Sequence, residues 1–213
     1  MKKTINYLMA IALVSTVFIG CKKGENDPFL SFLSRTARIT GVWNLSSADY
    51  EEVDTEDGES TTTSYSFENG SMTETTDGYG ETYAYSEKVT IEKDGTFKVE
   101  VIEEVEWWSL ETLQNETGNY QHIREGVWYF LEGNTNLDVK DKERVEFLIE
   151  KEKMIYPWGD TYETDYSGKS NSYVQILLLD KLANKEIVTL YDSERSEGSD
   201  SEVKSGSSTY TRE

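Results

Sequence analysis

Few side chains in this sequence are suited to catalysis. Among 213 residues, His122 is the single histidine and Cys21 the single cysteine. A catalytic triad or a histidine metal site needs more groups of these types, and the sequence contains no glycine-rich phosphate loop. We therefore expect a protein that is not an enzyme and that binds no cofactor and no metal. On this interpretation His122 is a surface or packed residue of a strand.

Carboxylates are abundant, but one of them has an informative position. Asp and Glu number 41 together, so that pairs of acids arise by chance. Glu103 shares odd parity with the apolar residues of its strand, which predicts that it points inward. There it could line a polar ligand cavity or lie at a barrel rim, unless a bulge after Val101 turns it outward. Acidic residues at 160–165 form a looser loop that could hold calcium weakly.

Aromatic residues cluster at two places outside the regular alternation. Trp107 and Trp108 are adjacent, and Trp158 ends the run Tyr156-Pro157-Trp158. Aromatic rings near loops can stack on sugars or cover a pocket, and hydrophobic caps under loops are the structural alternative. We take Trp107, Trp108, Trp158 and the inward Glu103 as candidate ligand-binding residues.

The first twenty residues have the pattern of an export signal. Lys2 and Lys3 precede a mainly apolar run from Leu8 to Gly20, which is too short for a membrane-spanning helix. Cys21 follows directly, and the stretch resembles a lipoprotein signal peptide. A lone cysteine in an exported chain cannot form an internal disulfide, which favours lipidation at Cys21. An ordinary signal peptide with a chance cysteine is the alternative.

The composition of the remaining chain fits one folded domain. Removal of the first twenty residues leaves 193 residues and takes away two lysines, so the net charge falls from −20 to −22. Such a charge repels nucleic acid and anionic membrane surfaces. Aromatic residues make up 12% of the chain, whereas disordered acidic chains are poor in them. The Tyr, Thr, Val and Phe content favours strands.

A long hairpin is the clearest predicted element. Odd-numbered apolar residues alternate with polar ones on both sides of Lys93-Asp94-Gly95. A three-residue loop pairs Ile91 with Phe97 and keeps the apolar faces together, whereas a two-residue loop does not. It also places Gly95 where the turn needs a positive φ. Each arm spans about eleven residues, or roughly 35 Å, which is typical of barrels.

The other elements are mostly strands. Asn69-Gly70 predicts a tight turn between two strands. A short helix, or alternatively a membrane-hugging segment, is predicted over Pro28–Ser34. Residues 154–171 are interpreted as a long loop. Strands are predicted at Thr61–Glu68, Met72–Thr75, Tyr120–Leu131, Arg144–Glu150, Tyr173–Leu179, Glu186–Tyr191 and Glu202–Thr211. We expect an all-β fold, an antiparallel up-and-down meander of about eight to ten strands in a barrel or a sandwich. A barrel of that size can hold one small ligand.

The start of the first strand resembles a known family. Gly41-Val42-Trp43 follows a short helical lead-in and lies close to Cys21, and the Lys93–Phe97 hairpin comes later. This layout resembles the lipocalin-like domains of Gram-negative lipoproteins. The resemblance covers residues 39–213 and implies a lipocalin-like barrel with Trp43 packed across its closed end. Arg212 is the candidate for the late arginine that packs on this tryptophan in the family.

The resemblance also implies a domain organisation and a role. Residues 1–20 would be the signal peptide, 21–38 a lipidated tether with a helical lead-in, and 39–213 the barrel. We expect an outer-membrane protein anchored by acyl chains such as palmitate at Cys21, on either leaflet. It would bind or carry a small apolar molecule without catalysis. Two rivals stay open: a β-sandwich that binds glycans or proteins, and a structural envelope lipoprotein without a ligand.

Overall fold

The structure, a computed structural model, describes residues 33–131, 143–167, 173–197 and 200–213. Cys21 and the signal segment lie outside these residues. The described residues form one short helix, α1 (Arg35–Ile39), and eleven strands. The strands are β1 (Gly41–Glu56), β2 (Glu59–Glu68), β3 (Ser71–Thr76), β4 (Tyr79–Ile91), β5 (Thr96–Ser109), β6 (Gln114–Leu131), β7 (Glu143–Ile155), β8 (Thr161–Asp165), β9 (Tyr173–Leu182), β10 (Glu186–Glu197) and β11 (Asp200–Arg212).

Ten of the strands form a closed antiparallel barrel. Neighbouring strands pair in chain order from β1 to β7, and β7 then pairs with β9. The circuit continues through β10 to β11, which pairs with β1 and closes the barrel. Among the described strands, β8 pairs with β7 and extends the sheet outside this circuit. The predicted barrel is therefore confirmed. The alternative of a β-sandwich is wrong, because continuous pairing around the circuit leaves no division into two sheets.

The barrel has more strands around one end than around the other. At one end β1 pairs directly with β4, through residues 41–44 and 88–91. Further along, the hairpin of β2 and β3 separates these two strands, and the carbonyl at its tip, on Gly70, accepts a hydrogen bond from the N–H of Tyr85 at 3.0 Å. Because barrel diameter grows with strand number, the barrel widens on the side of this hairpin.

We call the narrow part, around Trp43 and Phe147, the closed half, and the wide part, around Tyr83 and Glu103, the open half. Side chains fill the closed half. Its buried residues are Ile39, Trp43, Val89, Ile91, Phe97, Val99, Trp128, Val145, Phe147, Ile149, Leu179, Leu182 and Ile187. The residual cavity between them is about 20 Å³, which is close to the size of one water probe.

Trp43 occupies the centre of the closed half. Its side chain is 1% exposed, and its indole Nε1 donates a hydrogen bond to the carbonyl of Ile39 at 2.7 Å. The guanidinium carbon of Arg212 lies 4.5 Å from the ring centroid, and the same guanidinium donates to the carbonyls of Arg38 and Thr40. The contact between Trp43 and Arg212 that the resemblance implies is present.

The helix α1 follows the segment that was predicted to be helical. Ser34 caps it by accepting a hydrogen bond from the N–H of Ala37 at 3.1 Å, and the helix buries Arg38 and Ile39 against the barrel end. Leu33 and Ser34 are not helical, so the predicted helix over Pro28–Ser34 is wrong at its described end, and residues 28–32 lie outside the described part. The capping side chain of Ser34 sets the helix start. No described helix is long and apolar enough to cross a membrane.

Both predicted turns have the expected geometry. Ile91 pairs with Phe97 across Lys93-Asp94-Gly95, and Gly95 has a φ of 93°. Asn69 and Gly70 have φ values of 54° and 81°, as a tight hairpin turn requires.

The long loop predicted over residues 154–171 is wrong in part. Residues 154–155 belong to β7, and residues 161–165 form β8, which returns along β7 after a short turn. All five residues of β8 are exposed, so this strand has no apolar alternation from which it could be predicted. Residues 168–172 lie outside the described part.

Candidate ligand-binding site

Glu103 points into the open half, as its parity predicts. It pairs with Tyr85 of β4 and with Tyr120 of β6, and the register continues without a bulge from Val101. The side chain is partly buried. This burial, and next the nearby carboxylate of Glu74, raise the pKa of the Glu103 carboxyl above its ordinary value. The alternative that a bulge turns Glu103 outward is thereby excluded.

The three candidate tryptophans divide into two groups. Trp107 lies on the inward face of β5 and its ring centroid is 5.8 Å from that of Trp158, which follows β7. Gly118 makes room for this contact, because a Cβ there would lie 2.7 Å from Pro157 and 3.2 Å from the Trp107 ring. Trp108 points to the opposite face and is 58% exposed. The structure thus brings Trp107 and Trp158 together at the rim and leaves Trp108 apart.

The interior of the open half is rich in phenols and carboxylates. Strand register and partial burial place tyrosines and acids on the same inward face as the apolar residues below them. The inward tyrosines are Tyr50, Tyr65, Tyr83, Tyr85, Tyr120, Tyr191 and Tyr210. The inward acids include Glu52, Glu74, Glu87, Glu103 and Glu152. We call this group of inward residues the chamber. On the side of β1 to β4, its tyrosines pack on a second buried cluster, formed by Ala48, Phe67 and Met72.

A hydrogen-bonded group forms the floor of the chamber. Glu87 accepts hydrogen bonds from the hydroxyls of Tyr210 at 2.8 Å and Tyr85 at 3.1 Å, and Ser208 donates to the hydroxyl of Tyr191 at 3.0 Å. Burial, and next the charge of Glu87, raise the pKa of Tyr85 and of Tyr210 well above their ordinary value. These phenols therefore remain neutral donors and separate the chamber from the apolar core beneath it.

A second group lies on the wall formed by β6 and β7. The Nε2 atom of His122 is 2.6 Å from one carboxylate oxygen of Glu152, and the hydroxyl of Tyr166 donates to the other oxygen at 3.0 Å. Arg124 donates to the side-chain oxygen of Gln175 at 3.2 Å. The prediction of a packed or surface position for His122 is met by a partly buried side chain whose ring nitrogen has an acidic partner.

A lysine ammonium is held inside the same chamber. Lys204 lies opposite Glu52 in the pairing of β11 with β1, and its Nζ is 3.5 Å from a carboxylate oxygen of Glu52. The same Nζ is 4.5 Å from the ring centroid of Tyr50 and 5.2 Å from that of Tyr191. Both distances lie within the range of a cation–π interaction.

The chamber offers carboxylates, phenol hydroxyls and aromatic faces as binding groups. Three acids of the described part, Glu52, Asp54 and Glu202, have carboxylate oxygens within 4.8 Å of one another. The ammonium of Lys204 lies beside Glu52 and offsets part of their negative charge. Aromatic faces, phenol hydroxyls and carboxylates can contact a small molecule on several sides.

Several of these residues were missed by the sequence interpretation. Tyr120, His122 and Arg124 share even parity with the buried Trp128, and this alternation along β6 could have identified them. Glu152 could not be identified in this way. The register shifts between Glu125 and Gly126, so inward residues of β7 are odd up to residue 149 and even from residue 152 onward.

The fold and the chamber define a closed antiparallel β-barrel with a packed closed half and a polar, aromatic open half. No protein-family model, curated protein or solved structure matches this chain.

Proposed function

We propose that this protein is a lipid-anchored protein of the cell envelope whose barrel binds one small molecule in its open half and does not catalyse a reaction. The observation that carries this proposal is the difference between the two halves. The closed half is filled to a residual cavity of about 20 Å³, whereas the open half has additional strands and inward polar groups. A structural barrel without a ligand has no need of partly buried acids such as Glu103.

The chamber lining bears on the kind of ligand. We propose a small and mainly apolar molecule as the ligand. The closed half is already filled by side chains, so that the ligand would lie in the open half. A ligand in the open half would place its apolar or aromatic body against tyrosine rings and its polar groups near Glu103, His122 or Arg124.

Native mass spectrometry of the purified chain 22–213 tests this proposal. The chain would be mixed with lipids, aromatic amines, aromatic acids and sugars, and quenching of tryptophan fluorescence would follow the same series. We expect a complex with one bound molecule for at least one class. If no class forms a complex, the proposal loses to the structural envelope role.

The anchor is tested separately. Lipidation of Cys21 would hold the protein on the outer membrane, so Cys21→Ser should move it from the membrane fraction to the soluble fraction of the cell envelope. A Ser15→Ala change within the signal segment is the matched control and should leave the protein on the membrane. A Cys21→Ser protein that still fractionates with membranes contradicts the anchor.

The aromatic rim supports a second candidate, glycan binding. Tyr156 lies 4.7 Å from Trp158 and Trp158 lies 5.8 Å from Trp107, measured between ring centroids, and Trp158 is 49% exposed. Rings in such a group can stack on sugar faces. Glycan-array binding that is lost in Trp158→Ala and kept in Trp108→Ala would support this candidate over the chamber.

A further inference from the structure

We propose that the open half of the barrel selects ligands that carry an organic ammonium group. This inference rests on the proposed function and names the ligand class of the same chamber. The site lies on one side of the chamber, where four neighbouring strands each contribute one inward residue. The four residues are Tyr65 of β2, Glu74 of β3, Tyr83 of β4 and Glu103 of β5, and we call them the tyrosine–glutamate patch.

Strand pairing brings the patch together. Tyr65 lies opposite Glu74 in the pairing of β2 with β3. Tyr83 is two residues from Tyr85, the partner of Glu103, on the same face of β4. Consecutive inward side chains on neighbouring strands are within reach of one another. Two phenol rings and two carboxylates therefore share one region of the wall.

The charged groups that act on the two tyrosines of the patch are all acidic. Burial raises the pKa of Tyr65 to about 12, and the charge of Glu74 is the next cause. The pKa of Tyr83 is also raised to about 12, by burial and then by Glu74 and Glu103. On the other side of the chamber burial also raises the pKa of Tyr120 and of Tyr191, but there the charge of Arg124 opposes part of the rise.

The two carboxylates of the patch have no basic partner in the described part of the chain. Burial first, and the nearby charge of Glu74 next, raise the pKa of Glu103, so that keeping its carboxylate ionised at this place carries a cost. A cation that enters the patch reduces this cost, and a neutral or anionic group does not. The patch therefore distinguishes ligands by charge.

The protein already binds one ammonium group in this chamber. Lys204 Nζ is held over the rings of Tyr50 and Tyr191 with the carboxylate of Glu52 beside it. Tyr65 stacks on Tyr50 with a centroid separation of 4.6 Å. The patch thus continues the same combination of ring face and carboxylate, without a lysine of its own among the described residues.

The charge of the whole chamber agrees with this selection. Among the described residues the inward acids include Glu52, Glu74, Glu87, Glu103 and Glu152, with Asp54 and Glu202 close to Glu52, whereas the inward bases of fixed charge are Lys204 and Arg124. The complete chain carries a net charge of −20, which attracts cations and repels anions on approach. Arg124 would favour an anionic ligand, and tighter binding of an anionic compound than of a cationic one would reveal that preference.

Three octyl compounds that differ only in the head group test the inference: octylammonium, octanol and octanoate. Isothermal titration calorimetry would measure their binding to the chain 22–213 at neutral pH. We expect octylammonium to bind roughly tenfold more tightly than octanol, and octanoate to bind most weakly. Equal binding of octylammonium and octanol, or tighter binding of octanoate, overturns the ammonium inference but leaves the proposed function standing. Binding of none of the three, together with a failed native mass spectrometry screen, overturns both.

A double variant locates the selection. In Glu74→Gln/Glu103→Gln the advantage of octylammonium over octanol should fall to about twofold or less, since both patch charges are removed without a change of side-chain shape. Glu104→Gln, on the exposed face of β5, is the matched control and should keep the full advantage. If the double variant does not fold, as judged by circular dichroism, Glu103→Gln alone replaces it and should lose about half of the advantage on a logarithmic scale. A full advantage in the folded patch variant overturns the assignment.

Discussion

Trp43 connects the start and the end of the folded chain. Its indole N–H donates to the carbonyl of Ile39 in α1, and its ring lies beneath the guanidinium of Arg212, the last residue of β11. Arg212 in turn donates to backbone carbonyls on either side of Ile39. The barrel is thus closed at the base by one aromatic ring, one guanidinium and one turn of helix.

Truncation of this ring should destabilise the protein strongly. Trp43→Ala removes a fully buried indole and its hydrogen bond, and we expect a loss of about 3–5 kcal/mol in the free energy of unfolding. Trp108→Ala, at an exposed position, should cost less than about 0.5 kcal/mol. Urea unfolding followed by circular dichroism measures both. Similar losses in the two variants would mean that Trp43 does not organise the closed half.

The inward tyrosines predict how stability depends on alkaline pH. The pKa of Tyr65, of Tyr83 and of Tyr191 is raised from 10.0 to about 12, with burial as the main cause. Between these values the folded chain keeps phenol protons that the unfolded chain has lost. The free energy of unfolding should therefore decrease as the pH rises from about 10 to about 12.

Titration of phenolate absorbance tests this dependence. Of the 14 tyrosines, Tyr7 lies in the signal segment. In the folded chain 22–213 fewer of the other tyrosines should ionise near their ordinary pKa than in the same chain unfolded by urea. If all tyrosines ionise together while the circular dichroism spectrum remains that of the folded barrel, the inward phenols are not buried.

Residue positions could be predicted from the sequence where alternation is unbroken. Glu103 shares the parity of Phe97, Val99 and Val101, and its inward position follows from that pattern alone. Glu152 is different, because an extra residue in β7 near Glu150 changes which parity faces the chamber. Such a bulge depends on pairing with β6, a contact distant in the chain, and no local pattern in β7 specifies it.

At the scale of elements, the close approach of β6 and β7 depends on a glycine. A Cβ on Gly126 would lie 2.0 Å from the carbonyl oxygen of Leu148 and 3.0 Å from the backbone nitrogen of Glu150. This close approach lies at the register shift that turns Glu152 toward His122. Gly126 therefore links strand geometry to the wall of the chamber.

Substitution of this glycine should disturb both strands. Gly126→Ala forces backbone atoms apart, and we expect a loss of about 2 kcal/mol or more in the free energy of unfolding. Gly80→Ala on β4 is the matched control, because the nearest atom to its Cβ would be a side-chain oxygen of Thr75 at 3.4 Å. Thermal unfolding of the two variants gives the comparison. Equal stability would show that β6 and β7 do not require this close contact.

Hairpins could be predicted from the sequence better than the strand β8. The turns at Asn69-Gly70 and Lys93-Asp94-Gly95 combine residues that tolerate positive φ with flanking alternation, and both signals are local. The strand β8 is exposed along its whole length, so that only its pairing with β7 defines it. The end of the helix predicted over Pro28–Ser34 is wrong, since Ser34 is the capping residue of α1 and not part of a helix.

At the scale of the whole molecule, charge repulsion opposes the compact fold. Without the first twenty residues the net charge is −22, and at about 0.1 M salt the repulsion between exposed charges more than about 10 Å apart is largely screened. We expect the urea midpoint of the chain 22–213 to rise when sodium chloride is added. An unchanged or lower midpoint would mean that surface ion pairs outweigh the repulsion.

The division of the barrel into a packed and an open half is the central claim, and blocking the open half tests it most directly. The neutral fluorescent probe N-phenylnaphthylamine would be titrated into the chain 22–213, into Glu103→Trp and into Glu104→Trp. The inward tryptophan fills the chamber, whereas the outward one on the opposite face of β5 does not. We predict fluorescence enhancement with the parent chain and with Glu104→Trp, and its loss with Glu103→Trp. Equal enhancement in all three proteins would contradict a binding chamber in the open half.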